Sequence, residues 1–167
     1  MSLNSIIFIG ILYFIKQDFS LFGTLSVPTW ISHLILIIFP IPLSLLILQT
    51  SKYLNRDSIK STIIQIEQAN NAYLPSYLGY FFVALSIPDS QTFIFVFLIL
   101  FVFVYFSQTQ YFNPVFLLLK YHFYFVTTED NSKNIIISKR ILKNPKEVEF
   151  EQLRRINYYT YIDEEVD

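Results

Sequence analysis

The stretch NPVFLLLKYHFYFVTTEDN, residues 113–131, decides how the chain is organised. It follows the uninterrupted apolar run TFIFVFLILFVFVYF and opens with Asn113-Pro114, where the proline disfavours helical geometry in the preceding residue. Tyr121 to Thr128 is rich in aromatic and β-branched residues and precedes the polar turn EDNSK, a pattern typical of a β-strand. The stretch therefore predicts a passage from an apolar helix into a small sheet.

The composition is typical of a membrane protein. Of the 167 residues, 53% are hydrophobic and 15% are charged, and the mean hydropathy is positive. The absence of cysteine excludes disulfides, thiolate metal sites and a cysteine nucleophile. A net charge of −1 provides no overall field for capturing nucleic acid, so no direct contact with nucleic acid is expected.

Four apolar stretches approach the length of about 20 residues that a helix needs to cross the hydrocarbon of a membrane. They predict an α-helical membrane protein, in which a four-helix transmembrane bundle, residues 1–112, precedes a small C-terminal antiparallel β domain, residues 113–167. The expected spans are approximately 3–22, 27–48, 69–87 and 91–112. A three-span alternative stays open because the first and third stretches are short. Pro40 and Pro42 predict a kink in the second span.

The positive charges predict the orientation of these spans. With four spans, every Lys and Arg except Lys16 falls on one side, in the loop at 50–72 or after Phe112. Loops that retain Lys and Arg close to membrane helices are usually cytoplasmic. We therefore expect a multi-pass protein of the bacterial inner membrane with both termini in the cytoplasm.

A row of small residues marks the third predicted span. Their spacing of four and three residues places them along one face of an otherwise bulky helix: Ala72, Ser76, Gly79, Val83 and Ser86. Such a face lets helix backbones approach closely in lipid. It predicts either packing within the bundle or an interface between subunits.

The tail after residue 113 contains further strand signals. Asn134 to Arg140 predicts a strand that returns from the EDNSK turn, and Asn144-Pro145 marks a break. EVEFE alternates as a strand does, although VEFEQLRRI also fits a short helix. RRINYYTYI predicts a final strand, which gives a sheet of three or four strands.

Few residues indicate chemistry. The glycines are too far apart for a phosphate-binding loop, and neither His33 nor His122 has neighbours with metal-ligand spacing. His33 is predicted to be an interfacial hydrogen-bonded residue or a proton-sensing group, and His122 a structural residue of the sheet. No nucleophile lies near a base in the sequence. We therefore expect no catalytic residues, no metal and no cofactor.

The densest basic cluster lies in the tail and comprises Lys139, Arg140, Lys143 and Lys146. Such a cluster retains a tail in the cytoplasm, binds anionic lipid headgroups or docks a partner. All three interpretations stay open at this level.

Three segments of the tail, NPVFLLLKYHFYFVTTEDNSKNIIISKR, ILKNP and RRINYYTYID, resemble the KwaA family, the membrane subunit of the bacterial Kiwa anti-phage system. The matching positions are Asn113, Pro114, Tyr121, His122, Tyr124, Thr127, Ser138, Lys139, Arg140, Leu142 and Asn144. Lys120 stands where the family has a small residue, and Lys143 replaces an arginine.

The resemblance implies a non-enzymatic inner-membrane sensor that forms homotetramers and responds to phage attachment or membrane disturbance. It also implies that the cytoplasmic face binds the DNA-associating effector KwaB. The implied docking residues are Tyr121, His122, Lys139, Arg140, Lys143 and Lys146. A small oligomeric channel or transporter is the alternative function, which an ion flux in liposomes would favour.

Overall fold

The computed structural model describes residues 2–23, 27–72, 74–107 and 112–165, without the side chains of 2–5, 76 and 107. The chain forms two compact units. We call Met1–Leu45 with Tyr73–Asn113 the helical unit, and Leu46–Ala72 with Pro114–Asp167 the β unit. Each unit is therefore assembled from two separate segments of the chain.

The helical unit is built around its first helix. Its helices are α1 (Ser2–Lys16), α2 (Thr29–Ile38), α3 (Pro40–Ser51), α4 (Leu74–Ser86) and α5 (Ser90–Ser107), with α3 continuing into the β unit from Leu46. α1 packs against α4 and α5 through buried Ile6, Ile9 and Tyr13. The Tyr13 ring stacks on Phe93 with 4.1 Å between the ring centroids, which holds α1 against α5.

Lys16 explains why α1 stops where it does. Its Nζ donates hydrogen bonds of 2.7 Å to the backbone oxygens of Leu85 and Ile87, at the end of α4. These carbonyls have no partner within their own helix, and a cation near a helix C-terminus is favourable. Asp18 then has a positive φ of 53°, so the helix does not continue to residue 22 as the sequence predicted.

The predicted four-helix transmembrane bundle is wrong. Thr29–Ser51, with 23 residues, is the one helix among the described residues that is long and apolar enough to cross a membrane. The apolar parts of α1, α4 and α5, at residues 6–16, 77–86 and 90–106, are too short to meet the same criterion for crossing a membrane. Ala69 does not extend α4 as expected, because its N–H donates to the backbone oxygen of Phe123 in the sheet.

This finding also corrects the predicted localisation. With a single helix of sufficient length and apolarity in the described part of the chain, a multi-pass inner-membrane protein with both termini in the cytoplasm is not supported. The prolines were expected to kink this helix. α2 ends at Ile38 and α3 begins at Pro40, but Phe39 between them keeps helical dihedral angles, with φ −51° and ψ −37°, so the kink stays a prediction.

The β unit contains one six-stranded sheet. Its elements are β1 (Arg56–Ile59), β2 (Ile63–Gln68), α6 (Pro114–Leu118), β3 (His122–Thr128), β4 (Lys133–Ser138), a 3-10 turn (Pro145–Glu147), β5 (Phe150–Asn157) and β6 (Thr160–Asp163). The strand order is β1-β5-β6-β4-β3-β2. β4 and β6 pair in parallel, and the other neighbours pair antiparallel.

The sheet must curve strongly, because its two edge strands are consecutive in the chain. A flat sheet of this size separates its edges by about 24 Å. The backbone from Ile59 at the end of β1 to Ile63 at the start of β2 reaches at most about 14 Å. The sheet is therefore a half-open barrel, and its core contains Tyr124, Val126, Ile136, Phe150 and Leu153.

The predicted C-terminal antiparallel domain of three or four strands is also wrong in two respects. β1 and β2 come from residues 56–68, which we expected to be a polar loop, and β4 pairs with β6 in parallel. RRINYYTYI is split by a turn at Tyr158 and Tyr159 into the end of β5 and the start of β6. The strands predicted at 121–128 and 134–140 are present as β3 and β4.

Candidate partner-binding surface of the β unit

Tyr121 and Lys139 lie at the open end of the β3–β4 hairpin. His122 at the start of β3 pairs with Ser138 at the end of β4. Tyr121, just before β3, and Lys139, just after β4, therefore lie next to each other at this end. Nζ of Lys139 lies 5.0 Å from the centroid of the Tyr121 ring, a cation–π contact. Burial raises the pKa of the Tyr121 phenol, so the ring stays neutral at physiological pH.

The segment after β4 alternates between the interior and the solvent. Leu142 is buried, and its N–H donates to the Tyr124 hydroxyl, which itself donates to the backbone oxygen of Arg140. Lys139, Ile141 and Lys143 are exposed between these anchored residues. The segment is therefore held by its even-numbered side chains and presents its odd-numbered ones.

Two large apolar side chains accompany the exposed lysines. Leu118, at the end of α6, is 75% exposed, and Ile141 is 66% exposed. Lys120, also exposed, follows α6 and precedes Tyr121. We call this surface the basic end of the β unit, formed by Leu118, Lys120, Tyr121, Lys139, Ile141 and Lys143.

Arg140 was predicted to belong to the docking cluster, but its side chain is occupied within the fold. Its Nε and Nη2 each lie 2.8 Å from Oδ2 of Asp163, and it also forms an ion pair with Glu165. Asp163 has no exposed side-chain surface and accepts a further hydrogen bond of 2.7 Å from Ser138. Arg140 therefore fastens the C-terminal strand to the end of β4.

His122 is also engaged inside the β unit. Its Nδ1 lies 3.1 Å from Nδ2 of Asn70, and Oδ1 of Asn70 accepts the backbone N–H of Phe123. Nδ1 accepts this hydrogen bond when the ring proton is on Nε2. The arrangement joins the start of β3 to the segment after β2, and a role of His122 in partner binding stays a prediction.

Lys146 lies at a different place, beside a cavity of about 620 Å³. Residues 58–63, 145, 146 and 148–151 line this cavity, and Lys60 and Lys146 are its cations. The backbone oxygen of Thr62 accepts a hydrogen bond from the N–H of Glu129, and the Ser61 hydroxyl donates one to the Asp130 carboxylate. The cavity therefore lies at the closed end of the β3–β4 hairpin. A seven-residue strand separates the two ends by about 20 Å.

The predicted basic cluster is thus divided among three environments. Lys139 and Lys143 lie at the basic end with Tyr121, Arg140 is internal, and Lys146 lies beside the cavity. Sequence reasoning missed Leu118, Lys120 and Ile141 as part of the surface. The alternation of residues 139–143 was a signal that could have identified Ile141.

Two of the five small residues predicted on the third span, Gly79 and Ser86, lie on an exposed face of α4. Tyr77 and Ala84 are its buried residues, whereas Gly79 and Ser86 are exposed about 140–180° away from them around the helix axis. Val83 is half-buried, Ala72 lies in the turn before the helix, and the Ser76 side chain is outside the described residues. Gly79 and Ser86 therefore lie away from the face that α4 packs into its own unit, and a role of the whole row in helix packing stays a prediction.

Asp57 and Arg155 form an ion pair between β1 and β5, and it predicts a pH dependence. Nε and Nη2 of Arg155 lie 2.7 Å and 2.5 Å from Oδ2 of Asp57. Burial raises the pKa of Asp57, but hydrogen bonds from Arg155 and from Ser58 N–H, with the arginine charge, hold it below the ordinary 3.8. Because the pKa of Asp57 is lower in the folded chain than in the unfolded chain, the ion pair stabilises the fold at pH values above the ordinary pKa of aspartate. This stabilisation is lost as the pH falls through the lowered pKa of the folded chain.

We therefore expect Asp57→Asn to lower the urea midpoint of the β unit at pH 7 and to make little difference in strong acid. Circular dichroism at both pH values measures this. The exposed Glu151→Gln is the control. An equal loss at both pH values would show that the ion pair is not the cause.

Comparisons with known proteins identify the family and nothing narrower. No curated protein and no solved structure is significantly similar to the chain. The model of one protein family, described as anti-phage protein KwaA, matches residues 1–162. The match covers almost the whole sequence, so the chain belongs to the KwaA family of anti-phage proteins.

Proposed function

We propose that this chain is a non-enzymatic sensor and scaffold of an anti-phage defence system. Its helical unit attaches it to a membrane, and the basic end of its β unit recruits an effector protein. The observation that carries this proposal is that exposed leucine and isoleucine side chains and three exposed lysines lie in two short segments, 118–121 and 139–143, which the contact between Tyr121 and Lys139 brings together. Interfaces typically combine apolar anchors with a charged rim.

The Thr29–Ser51 helix supports membrane attachment. At 1.5 Å per residue, its 23 residues extend over about 35 Å, slightly more than the hydrocarbon thickness of about 30 Å. Its large apolar side chains Ile37, Ile38 and Leu46 are each about half exposed, and Trp30 lies near its start, where an indole favours the headgroup zone. One such helix is sufficient for this proposal.

The charge of the basic end indicates the chemistry of the effector surface. Lys120, Lys139 and Lys143 favour an acidic rim on the partner, and Leu118 and Ile141 require apolar pockets within it. The resemblance of the tail to the KwaA family implies that this partner is the DNA-associating effector KwaB. The chain itself then needs no direct contact with nucleic acid.

Charge reversal at two lysines tests effector recruitment. We expect Lys139→Glu with Lys143→Glu to weaken co-purification of the neighbouring KwaB effector by about tenfold or more, because like charges at a rim oppose association. Both side chains are exposed, so folding is retained. Lys60→Glu with Lys146→Glu, beside the cavity, is the matched control. Equal binding by both double variants would contradict the assignment to the basic end.

The exposed face of α4 supports assembly of several copies, in line with a homotetramer. Gly79 has no heavy atom within 4 Å of the position that a Cβ would take, so another helix has room to approach it. We expect Gly79→Leu to reduce the oligomer mass of the full chain in detergent. The exposed Leu85→Ala on the same helix is the control, and an unchanged mass for Gly79→Leu would exclude this face as the interface.

A further inference from the structure

Three tyrosines of the β unit expose most of their side-chain surface. Tyr53 is 88% exposed, Tyr158 is 80% exposed and Tyr159 is 61% exposed. Tyr53 follows α3, and the other two form the turn between β5 and β6. A tyrosine side chain has an apolar ring and a polar hydroxyl, so it suits a boundary between an apolar phase and water. All three residues are therefore of the type that membrane interfaces favour.

Backbone hydrogen bonds hold Tyr53 against the end of α3. Its N–H donates to the backbone oxygen of Thr50 at 3.1 Å, and the N–H of Leu54 donates to that of Ser51 at 3.0 Å. α3 is the last part of the Thr29–Ser51 helix, which is long and apolar enough to cross a membrane. Tyr53 therefore lies within one turn of the point where this helix ends.

The β5–β6 turn lies at the same end of the β unit as this helix terminus. The backbone oxygen of Asn55, just before β1, accepts a hydrogen bond of 3.1 Å from the N–H of Arg155, near the end of β5. Because β5 runs antiparallel to β1, its last residues continue from Arg155 back toward α3. The turn at Tyr158 and Tyr159 follows these residues, so it extends toward the end of α3.

Two exposed cations flank Tyr53. Lys52 and Arg56 take part in none of the ion pairs between residues that the structure describes. The neighbouring Asp57 is paired with Arg155, so its charge does not offset them. Anionic headgroups attract lysine and arginine at a membrane surface. We call this surface the aromatic end of the β unit, formed by Lys52, Tyr53, Arg56, Tyr158 and Tyr159.

The aromatic end and the basic end lie at opposite ends of the sheet. β6 runs parallel to β4, and the backbone oxygen of Tyr159, just before β6, accepts a hydrogen bond of 2.7 Å from the N–H of Ile135, near the start of β4. Lys139 follows the other end of β4. The distance from Ile135 to Lys139 along the strand is about 13 Å. A surface that covers the aromatic end therefore leaves the basic end free.

We infer that the aromatic end lies in the headgroup layer of the membrane that the Thr29–Ser51 helix crosses, an inference that rests on the membrane attachment proposed above. The headgroup layer adds about 5–8 Å to each side of the hydrocarbon, and Tyr53 is two residues beyond the helix, so its ring reaches this layer. Lys52 and Arg56 contact anionic headgroups. A soluble partner is disfavoured, because the helix end brings the same surface against the membrane. The β unit is thereby seated on the membrane with its basic end turned away from it.

The fluorescence of an indole placed in the turn tests this contact. The chain has one tryptophan, so Trp30→Phe provides a background without indole emission. Tyr158→Trp in this background supplies the reporter, and the full chain is reconstituted in vesicles of phosphatidylglycerol brominated near the ester end of the acyl chains. We expect the fluorescence to be about twofold or more lower than in unbrominated vesicles, because an indole in the interface meets the bromine atoms.

Ile141→Trp in the same background is the matched control. It places an indole at an exposed position of the basic end, and bromination should leave its fluorescence unchanged. In the reporter chain, Tyr53→Ser with Tyr159→Ser should reduce the quenching about twofold or more, because two interfacial side chains are lost. Ile64→Ser removes an exposed apolar side chain from β2 and should not reduce it.

Charge reversal tests the two cations separately. Lys52→Glu with Arg56→Glu in the reporter chain should reduce the quenching in brominated phosphatidylglycerol more than in brominated phosphatidylcholine, which is zwitterionic. Unchanged quenching in phosphatidylglycerol would exclude the two cations from the contact.

Flotation of the vesicles separates failure of this inference from failure of the proposed function. If the chain floats with the vesicles but the indole at position 158 is quenched no more than the indole at position 141, the aromatic end does not contact the membrane and the inference is overturned. If the chain does not float, the proposed membrane attachment is contradicted, and this inference with it.

Discussion

Replacement of Arg140 by alanine is expected to lower the free energy of unfolding of the β unit by about 3–5 kcal/mol, the usual cost of leaving one partner of a buried ion pair alone. The arginine side chain is 16% exposed and that of Asp163 is not exposed at all. Without the guanidinium, the Asp163 carboxylate still accepts hydrogen bonds from the Ser138 hydroxyl and the Glu165 N–H but loses its countercharge. The guanidinium also lies over the Phe150 ring, so its loss opens the end of the barrel.

Urea unfolding of the full chain, followed by circular dichroism, measures this loss. Arg155→Ala is the matched control, because Arg155 forms an ion pair at the surface with 49% of its side chain exposed. Exposed pairs contribute only about 0.2–1 kcal/mol. Similar losses for the two variants would show that Arg140 does not fasten the C-terminal strand. For the same reason Arg140 is unsuitable for charge reversal in binding experiments.

Ile141→Asp is expected to have the largest effect on effector binding. An apolar anchor at the centre of an interface contributes about 2–4 kcal/mol, which corresponds to a loss of affinity of about 30- to 1,000-fold. The lost contact is replaced by a carboxylate that faces the acidic rim expected on the effector. Because Ile141 is 66% exposed, the fold itself should change little.

Titration of the purified effector against the immobilised full chain measures the affinity. Ile64→Asp is the matched control, since Ile64 is also an exposed isoleucine but lies on β2, outside the basic end. Unchanged affinity in Ile141→Asp, with Ile64→Asp weakened instead, would move the docking surface to the edge of the sheet.

The strands at the centre of the β unit were predictable because their signals are local. β3 and β4 are dense in aromatic and β-branched residues, and the turn between them is polar. β1 and β2 were missed because they are short edge strands with mainly polar exposed faces. Their partners, β5 and β3, lie far away in the sequence. Pairing over such distances leaves little trace in either segment alone.

For the candidate surface too, features set by neighbouring residues were predictable from the sequence, and features set by distant residues were not. The lysines at 139 and 143 were recognisable as a cluster, but the partner of Arg140 is Asp163, 23 residues later. No property of the basic cluster distinguishes the arginine that is buried from the lysines that are exposed. Helix length was overestimated for a related reason, because Ala69 bonds to the sheet and Lys16 bonds to the end of α4.

Hydrogen exchange of the full chain with and without its effector is the decisive test of whether the effector binds the basic end. Amides that a partner covers exchange more slowly, and mass spectrometry of peptic fragments locates them. We expect new protection in residues 118–121 and 139–143, the two segments that contain the basic end. Protection confined to residues 58–63 and 145–151, around the cavity, or no new protection in the β unit, would contradict it.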